Sequence, residues 1–326
     1  MNEQSLVHTS IVMLLFSILF YILRSLNPTK SLFKSLGWGS MLLSMLSLIL
    51  ALFVRSQAAE YFALSNMYES MIVMLISVQA GFLVLDRRFN LVAMSWPVAL
   101  VVLVALVWDL SLSSEIKPLQ AALQSYWRAI HVPVIISSYG MFTLAFISSV
   151  VYLVQSYFGS PETFGKPQAA HAMAQGHQDP FTATKDRPDL AQVQDGFQED
   201  GIQPTGLTRG LVQADVAAAH SRPFNLYDEI TYRCIALGFP LLTVGIILGG
   251  LWANEAWGNY WSWDPKESMS LVTLLGYGVY LHLRVNAEHS AKTLSWVSVI
   301  GFALMLLTYF GVNIMGVGLH SYGKIG

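Results

Sequence analysis

Charge is what this 326-residue sequence has least of. Only 12% of its residues are Asp, Glu, Lys or Arg, against roughly 25% in a soluble globular domain, which excludes an ordinary water-soluble enzyme. The 18 basic and 20 acidic side chains leave a net charge of -2. With no basic excess to neutralise a polyphosphate backbone, nucleic acid is excluded as a partner. Cysteine is nearly absent too: Cys234 stands alone, so the chain has no internal disulfide, no CxxC redox centre and no cysteine pair for covalent attachment of a prosthetic group. Any thiol chemistry must use another protein's thiols. No repeat of fixed period and no nucleotide-binding motif is present.

What fills the space is apolar: 54% of residues are hydrophobic. A helix needs about 20 such residues to cross a hydrocarbon core of about 30 Å. Eight runs qualify, from Val7 to Leu23, Gly37 to Val54, Met67 to Leu85, Leu91 to Trp108, Val132 to Phe158, Ile230 to Leu251, Pro265 to Leu283 and Leu294 to Val317. The expected fold is an all-α polytopic membrane protein, a bundle of about eight transmembrane helices. The first run lacks a basic flank and a small-residue cleavage site, and is read as a retained span. Arg24, Lys30, Lys34, Arg87, Arg88, Arg284 and Lys292 fall in alternate connections. The positive-inside bias puts those connections in the cytoplasm and both termini outside. Arg55, Lys117, Arg128, Lys266 and Lys324 oppose it, so the bias is moderate.

Residues 159–226 break the pattern. They are rich in Gln, Ala, Asp, Gly and Pro with few large apolar residues, the composition of a disordered cytoplasmic linker. It separates a five-span region, 1–158, from a three-span region, 227–326. Its histidines, His171, His177 and His220, have no ligand spacing and read as solvated.

Residues 252–267, expected as an external loop, hold Trp252, Trp257, Trp261 and Trp263, four of the nine tryptophans. Indoles favour membrane interfaces, so a belt is one reading. A flat aromatic platform for a large planar ligand is the other, because rings crowd the segment around Gly258. Asp264, Pro265 and Glu267 have the order of a capping box opening the next helix. Lys266 either snorkels or pairs with an anionic ligand group.

Three histidines need an account. His131 precedes Val132-Pro133 at the outer mouth of the fifth span, and His320 follows the eighth at the same face. Neutral imidazoles from two sides suit an iron held axially, although each also reads as an interfacial residue. His282 lies 17 residues beyond Pro265, roughly 26 Å down a helix, near the cytoplasmic end. An ionisable group there is a functional candidate, or snorkels beside Arg284. Glu69 enters the third span from outside and either pairs with a basic group or faces headgroups. Arg128 shares a helical face with His131 and is placed to grip a carboxylate.

Trp252-Ala253, Trp257-Gly258, Trp261 and Trp263-Asp264-Pro265-Lys266-Glu267 resemble the tryptophan signature of the CcsA/ResC family of haem-handling proteins in system II cytochrome c biogenesis. Asn66 to Ser70, His131-Val132-Pro133, Tyr280 to Arg284 and Gly311 to Gly323 match as well. The resemblance implies that haem b is a transported substrate. It implies a transmembrane site at His282 completed by a histidine of a CcsB-type membrane partner, and an outer site between His131 and His320 against the tryptophans. There the haem vinyl groups would meet the thiols of a CxxCH motif on apocytochromes c, in a thylakoid or bacterial plasma membrane. The split format, without a large soluble domain, resembles the proteins of cyanobacteria and plastids; the long linker departs from shorter members. A haem permease without attachment chemistry is the alternative. A third reading, an unrelated ion or solute transporter, would use Glu69 and His282 as coupling groups.

Overall fold

The computed structural model describes residues 2–27, 29–158, 225–286 and 289–312. Among them the regular structure is helical: α1 (Glu3–Leu26), α2 (Ser31–Ala59), α3 (Met67–Phe89), α4 (Val92–Asp109), α5 (Tyr126–Phe158), α6 (Leu226–Trp257), α7 (Pro265–Val285) and α8 (Ala291–Leu306). A 3₁₀ turn, Ala121–Gln124, precedes α5, and one π-helical turn, Leu307–Gly311, continues α8. Each helix overlaps one of the eight apolar runs to within a few residues at most ends; the end of the eighth run, at Val317, lies outside the described residues. We call the end carrying the start of α1 the loop end, and the opposite one, where α5 stops and α6 begins, the linker end.

Seven of these helices, α8 counted with its π turn, are long and apolar enough to cross a membrane. The exception is α7. At 21 residues it reaches about 31 Å, but its composition is too polar for the same criterion. The reason is local: its buried residues are Ser270, Thr273, Tyr277 and Tyr280, while Val272, Leu275 and Val279 face outward. Packed on α6 and α8, it turns its hydroxyls inward and its aliphatic stripe toward lipid. The chain is an integral membrane protein.

Small side chains let the helices approach closely. The α1–α2 hairpin is stitched by Ser10 to Ser44 at 2.8 Å and by Ser17 donating to the Gly37 carbonyl at 3.0 Å. Along α6, a Cβ at Gly238 would come within 2.6 Å of the Phe142 ring, and one at Gly245 within 3.0 Å of Ile135, so α5 lies against glycine backbone.

Buried charge pairs fix both ends. At the linker end Arg24 spans α1 to α3 and α4, donating to both Asp86 oxygens at 3.0 and 3.1 Å, to Asn90 at 2.8 Å and to Ser95 at 2.9 Å. At the loop end Arg55 donates to Glu69 at 2.6 Å and to Glu3 at 3.1 Å. Removing one partner of such a pair leaves a stranded charge, at a cost of roughly 3–5 kcal/mol. These are joints of the bundle.

Candidate functional site

A cleft opens at the loop end between α3, α5, α6 and the start of α7. It encloses about 1090 Å³ of space outside the atoms, part of it open solvent. His131, Arg128, Trp252, Tyr260, Trp261 and Lys266 are in its wall, with Tyr139 and Tyr309.

His131 lies inside α5, whose first residue is Tyr126. The helix therefore begins before the expected mouth, and Pro133 is carried within it. Its Nδ1 stands 2.7 Å from the Gly245 carbonyl oxygen. That oxygen can only accept, so Nδ1 carries the hydrogen and the neutral ring has its lone pair on Nε2. Metal-binding imidazoles are commonly oriented in this way. Glycine makes the approach possible: a Cβ at Gly249 would fall 2.8 Å from Cε1 of His131. Trp252 stacks on the imidazole with centroids 5.9 Å apart and planes at 29°. It is itself 4% exposed and donates its indole N–H to the Ala122 carbonyl at 2.9 Å.

The tryptophan segment departs from its expected form in two ways. Helix α6 runs through Trp252 and Trp257, and α7 begins at Pro265, so only residues 258–264 form a connection. Nor are the indoles one flat sheet. Trp257 is tilted 53° to Trp252, and Trp261 meets Trp263 edge-on at 89°. Trp252 backs the histidine, Trp261 faces the cleft, and Trp263 points away, 71% exposed. Trp252 and Trp257, five residues apart on α6, project in different directions from the helix.

Asp264 caps α7. Its carboxylate accepts from the Lys266 amide at 2.9 Å, and Glu267 reaches back to the Asp264 amide at 3.2 Å, completing the capping box. Glu267 also accepts from the Ser262 amide at 2.8 Å, which folds the short connection over the cleft. Asp264 is outside the cleft lining, whereas Lys266 is in it.

Arg128 is also in the wall, but its guanidinium is committed to main-chain carbonyls: Leu123 at 2.6 Å, Leu64 at 3.0 Å and Phe62 at 3.3 Å. It ties the segment before α3 to the 3₁₀ turn instead of reaching for a ligand carboxylate. Glu69 is fully buried in its pair with Arg55, and it accepts from the Ser65 amide at 2.6 Å. It does not line the cleft. His282 is at the other end of α7, exposed, with Nε2 3.3 Å from the Asn286 side-chain nitrogen. The chain thus brings His131, Trp252, Trp261, Lys266 and Arg128 together and keeps His282 and Glu69 apart from them. His320 lies outside the described residues, as do the three linker histidines. Among the described residues no three His, Cys, Asp or Glu side chains converge as a metal site.

Tyr309 and Tyr139 carry no sequence signal, and Ser70 is marked only as the last residue of the Asn66 to Ser70 match. Tyr309 approaches Ser70 Oγ at 2.8 Å, and its ring meets Tyr139 edge-on at 5.9 Å. It sits on the π turn, a local widening frequent at functional sites. No sequence signal marks such a turn.

The class of protein these features define is a polytopic helical membrane protein with an imidazole set against indoles in an open cleft at one end. The comparisons make it specific. Residues 5–320 match the family model described as cytochrome C assembly protein, and the chain belongs to that family. A cytochrome c biogenesis protein CcsA of Gloeobacter violaceus is 35% identical over 300 residues, 90% of this chain and 87% of that protein. One of Microcystis aeruginosa is 34% identical over 98% and 97% of the two chains. One of Cyanophora paradoxa is 32% identical over 94% of each. Among solved structures, a cytochrome c heme lyase CcmF superposes with a TM-score of 0.55 over all of this chain and 52% of that one, at 14% identity, a likeness of fold.

Proposed function

We propose that this chain presents reduced haem b, as a substrate, to apocytochromes c on the non-cytoplasmic side of the membrane, working with a CcsB-type partner. The observation that carries the reading is His131, whose Nδ1–H on the Gly245 carbonyl leaves Nε2 as the coordinating nitrogen and whose face is held by Trp252. The cleft suits the group. Its walls are mostly aromatic and aliphatic, and Lys266 offers a cation to a propionate.

The chemistry asked of the complex is small. Each cysteine S–H of the CxxCH motif adds across one vinyl C=C, forming an S–C and a C–H bond, so no electron or proton is left over. The work of this chain is then orientation. His131 fixes the metal from one side, Trp252 and Trp261 exclude water, and Lys266 sets the rotation of the ring, which makes a bimolecular addition effectively intramolecular. His320 is the partner proposed for His131, and His282, with a histidine of the CcsB-type subunit, is proposed to form the receiving site at the linker end. The positive-inside bias supports placing the cleft at the periplasmic or lumenal face.

Co-purification with the partner tests this. The complex should carry a bis-histidine haem spectrum that is lost or altered in His131→Ala, and adding a CxxCH peptide should give a thioether adduct. Bound haem with no adduct would favour a permease. An unaltered spectrum in His131→Ala would remove the reading.

A further inference from the structure

We propose that α7 and α8 enclose a water-filled proton relay joining the loop-end cleft to the Arg284–Asp228 ion pair at the linker end. The observation is a set of buried hydroxyls that the protein does not satisfy. Tyr277 Oη, Tyr280 Oη, Ser295 Oγ and Ser298 Oγ have no hydrogen-bond partner, and their residues are at most 1% exposed. An orphaned polar group costs about 1–3 kcal/mol, and lipid around the bundle offers nothing in exchange. Water resolves this, because a hydroxyl both donates and accepts and a buried water typically makes about three hydrogen bonds.

The hydroxyls form a line. On α7, Ser270, Thr273, Tyr277 and Tyr280 recur at helical spacing and are the buried residues of that helix. The antiparallel α8 answers them: Thr273 and Thr308 are 2.8 Å apart, and a Cβ at Gly301 would lie 3.0 Å from the Tyr277 ring, which puts Ser298 and Ser295 opposite the next turns. From Ser270 to Arg284 the helix rises about 21 Å.

Both termini of the line are suited to protons. Ser270 is in the cleft wall beside Tyr309. At the other end Arg284, Asp228, Glu229 and Cys234 are the titratable groups around Tyr280. Arg284 pairs with Asp228 through Oδ2, and the buried Asp228 Oδ1 has no hydrogen-bond partner, so a water of the line can donate to it. In the middle Phe142 stacks on Tyr277 with centroids 3.6 Å apart, which leaves no passage there for a large ligand. In the relay one proton enters from the linker end as another leaves at the cleft; each hydrogen bond between hydroxyls and waters along the line reverses, and no atom changes oxidation state.

The proposal does not depend on which ligand the cleft takes. Its test uses the full chain in liposomes loaded with a pH-sensitive dye, under a potassium diffusion potential set by valinomycin. Proton uptake should exceed that of protein-free vesicles and fall about tenfold in Tyr277→Phe/Tyr280→Phe, which keeps both rings and removes a hydrogen-bonding step worth roughly 1–2 kcal/mol. Should that variant fail to fold, as judged by thermal unfolding, Ser295→Ala/Ser298→Ala should show the same loss. Uptake equal to protein-free vesicles, or unchanged in a folded variant, overturns the relay.

Discussion

Gly249→Ala is a one-carbon test of how the cleft histidine is held. The new Cβ would stand 2.8 Å from His131 Cε1 and 3.1 Å from Nδ1, inside the closest approach that real carbon atoms allow. Whether this matters depends on whether the imidazole can yield, and it is fixed twice: Nδ1 is bonded to Gly245 at 2.7 Å and the ring lies along Trp252. Relief therefore breaks the Nδ1–H bond or forces α5 away from α6. Overpacking of this kind costs about 1–3 kcal/mol, more than the 0.5–1 kcal/mol or so that alanine gains over glycine in a helix. Loss of the group orienting a metal-binding imidazole lowers metal affinity by roughly 10–100-fold. Gly39→Ala is the matched control, since nothing lies within 4 Å of its Cβ and only the gain remains. The assay is a haem titration followed at the Soret band in detergent, with thermal unfolding of the same samples. Wild-type affinity in Gly249→Ala, in a preparation where His131→Ala has lost binding, would refute the claim that the Gly245 carbonyl sets the ring.

Glu69→Leu should destabilise the protein by about 3 kcal/mol, the lower end of the cost of breaking a buried pair, because Arg55 keeps only Glu3; this is read as a lower melting temperature, while haem affinity of the folded fraction is unchanged. Reduced affinity at unchanged stability would return Glu69 to the binding site. Lys266→Ala should weaken binding of a porphyrin with free propionates by about tenfold, the loss of a charge-assisted hydrogen bond, and leave its dimethyl ester unaffected in the same titration. Trp252→Phe keeps a ring against His131 but strands the Ala122 carbonyl, and should raise hydrogen exchange across the 3₁₀ turn, Ala121–Gln124.

Among the described residues, apolar runs located the α-helices because the bilayer requirement is coarse; seven of them meet it on hydropathy, and α7, with its inward hydroxyls, falls short. The start of α7 was equally legible: Asp264, Pro265 and Glu267 are a local code, and each hydrogen bond of the capping box falls within a few residues. What the sequence did not show was anything depending on a partner far along the chain. Arg128 donates to carbonyls at Phe62 and Leu64, more than sixty residues away, and its spacing from His131 on one helix gives no sign of them. Glu69 had the same ambiguity, and Arg55 settled its placement. The tryptophans were correctly gathered at one place, but their angles follow from α6 continuing through Trp257, and helix ends are the least determined feature of a sequence.

Of the three histidines singled out from sequence, the two among the described residues, His131 and His282, lie toward opposite ends of the bundle. From Lys266 in the cleft wall to His282, α7 rises about 24 Å, and the interior between them is shut by the Phe142–Tyr277 stack and by glycines already in contact with rings. If one porphyrin visits both ends, as the proposed function requires, the short way is along the outward stripe of Val272, Leu275 and Val279 that leads to His282, with no opening of the core. A charge in that stripe, Leu275→Arg, should then slow transfer of haem from the linker end to the loop end, because a charged group at mid-membrane depth costs about 2.5–3.5 kcal/mol and recruits water and headgroups around itself. Phe142→Ala, which opens the core at the same level, should leave transfer unchanged. Stopped-flow spectra of the complex loaded at the His282 site would separate the two, and faster transfer in Phe142→Ala would put the path inside the bundle.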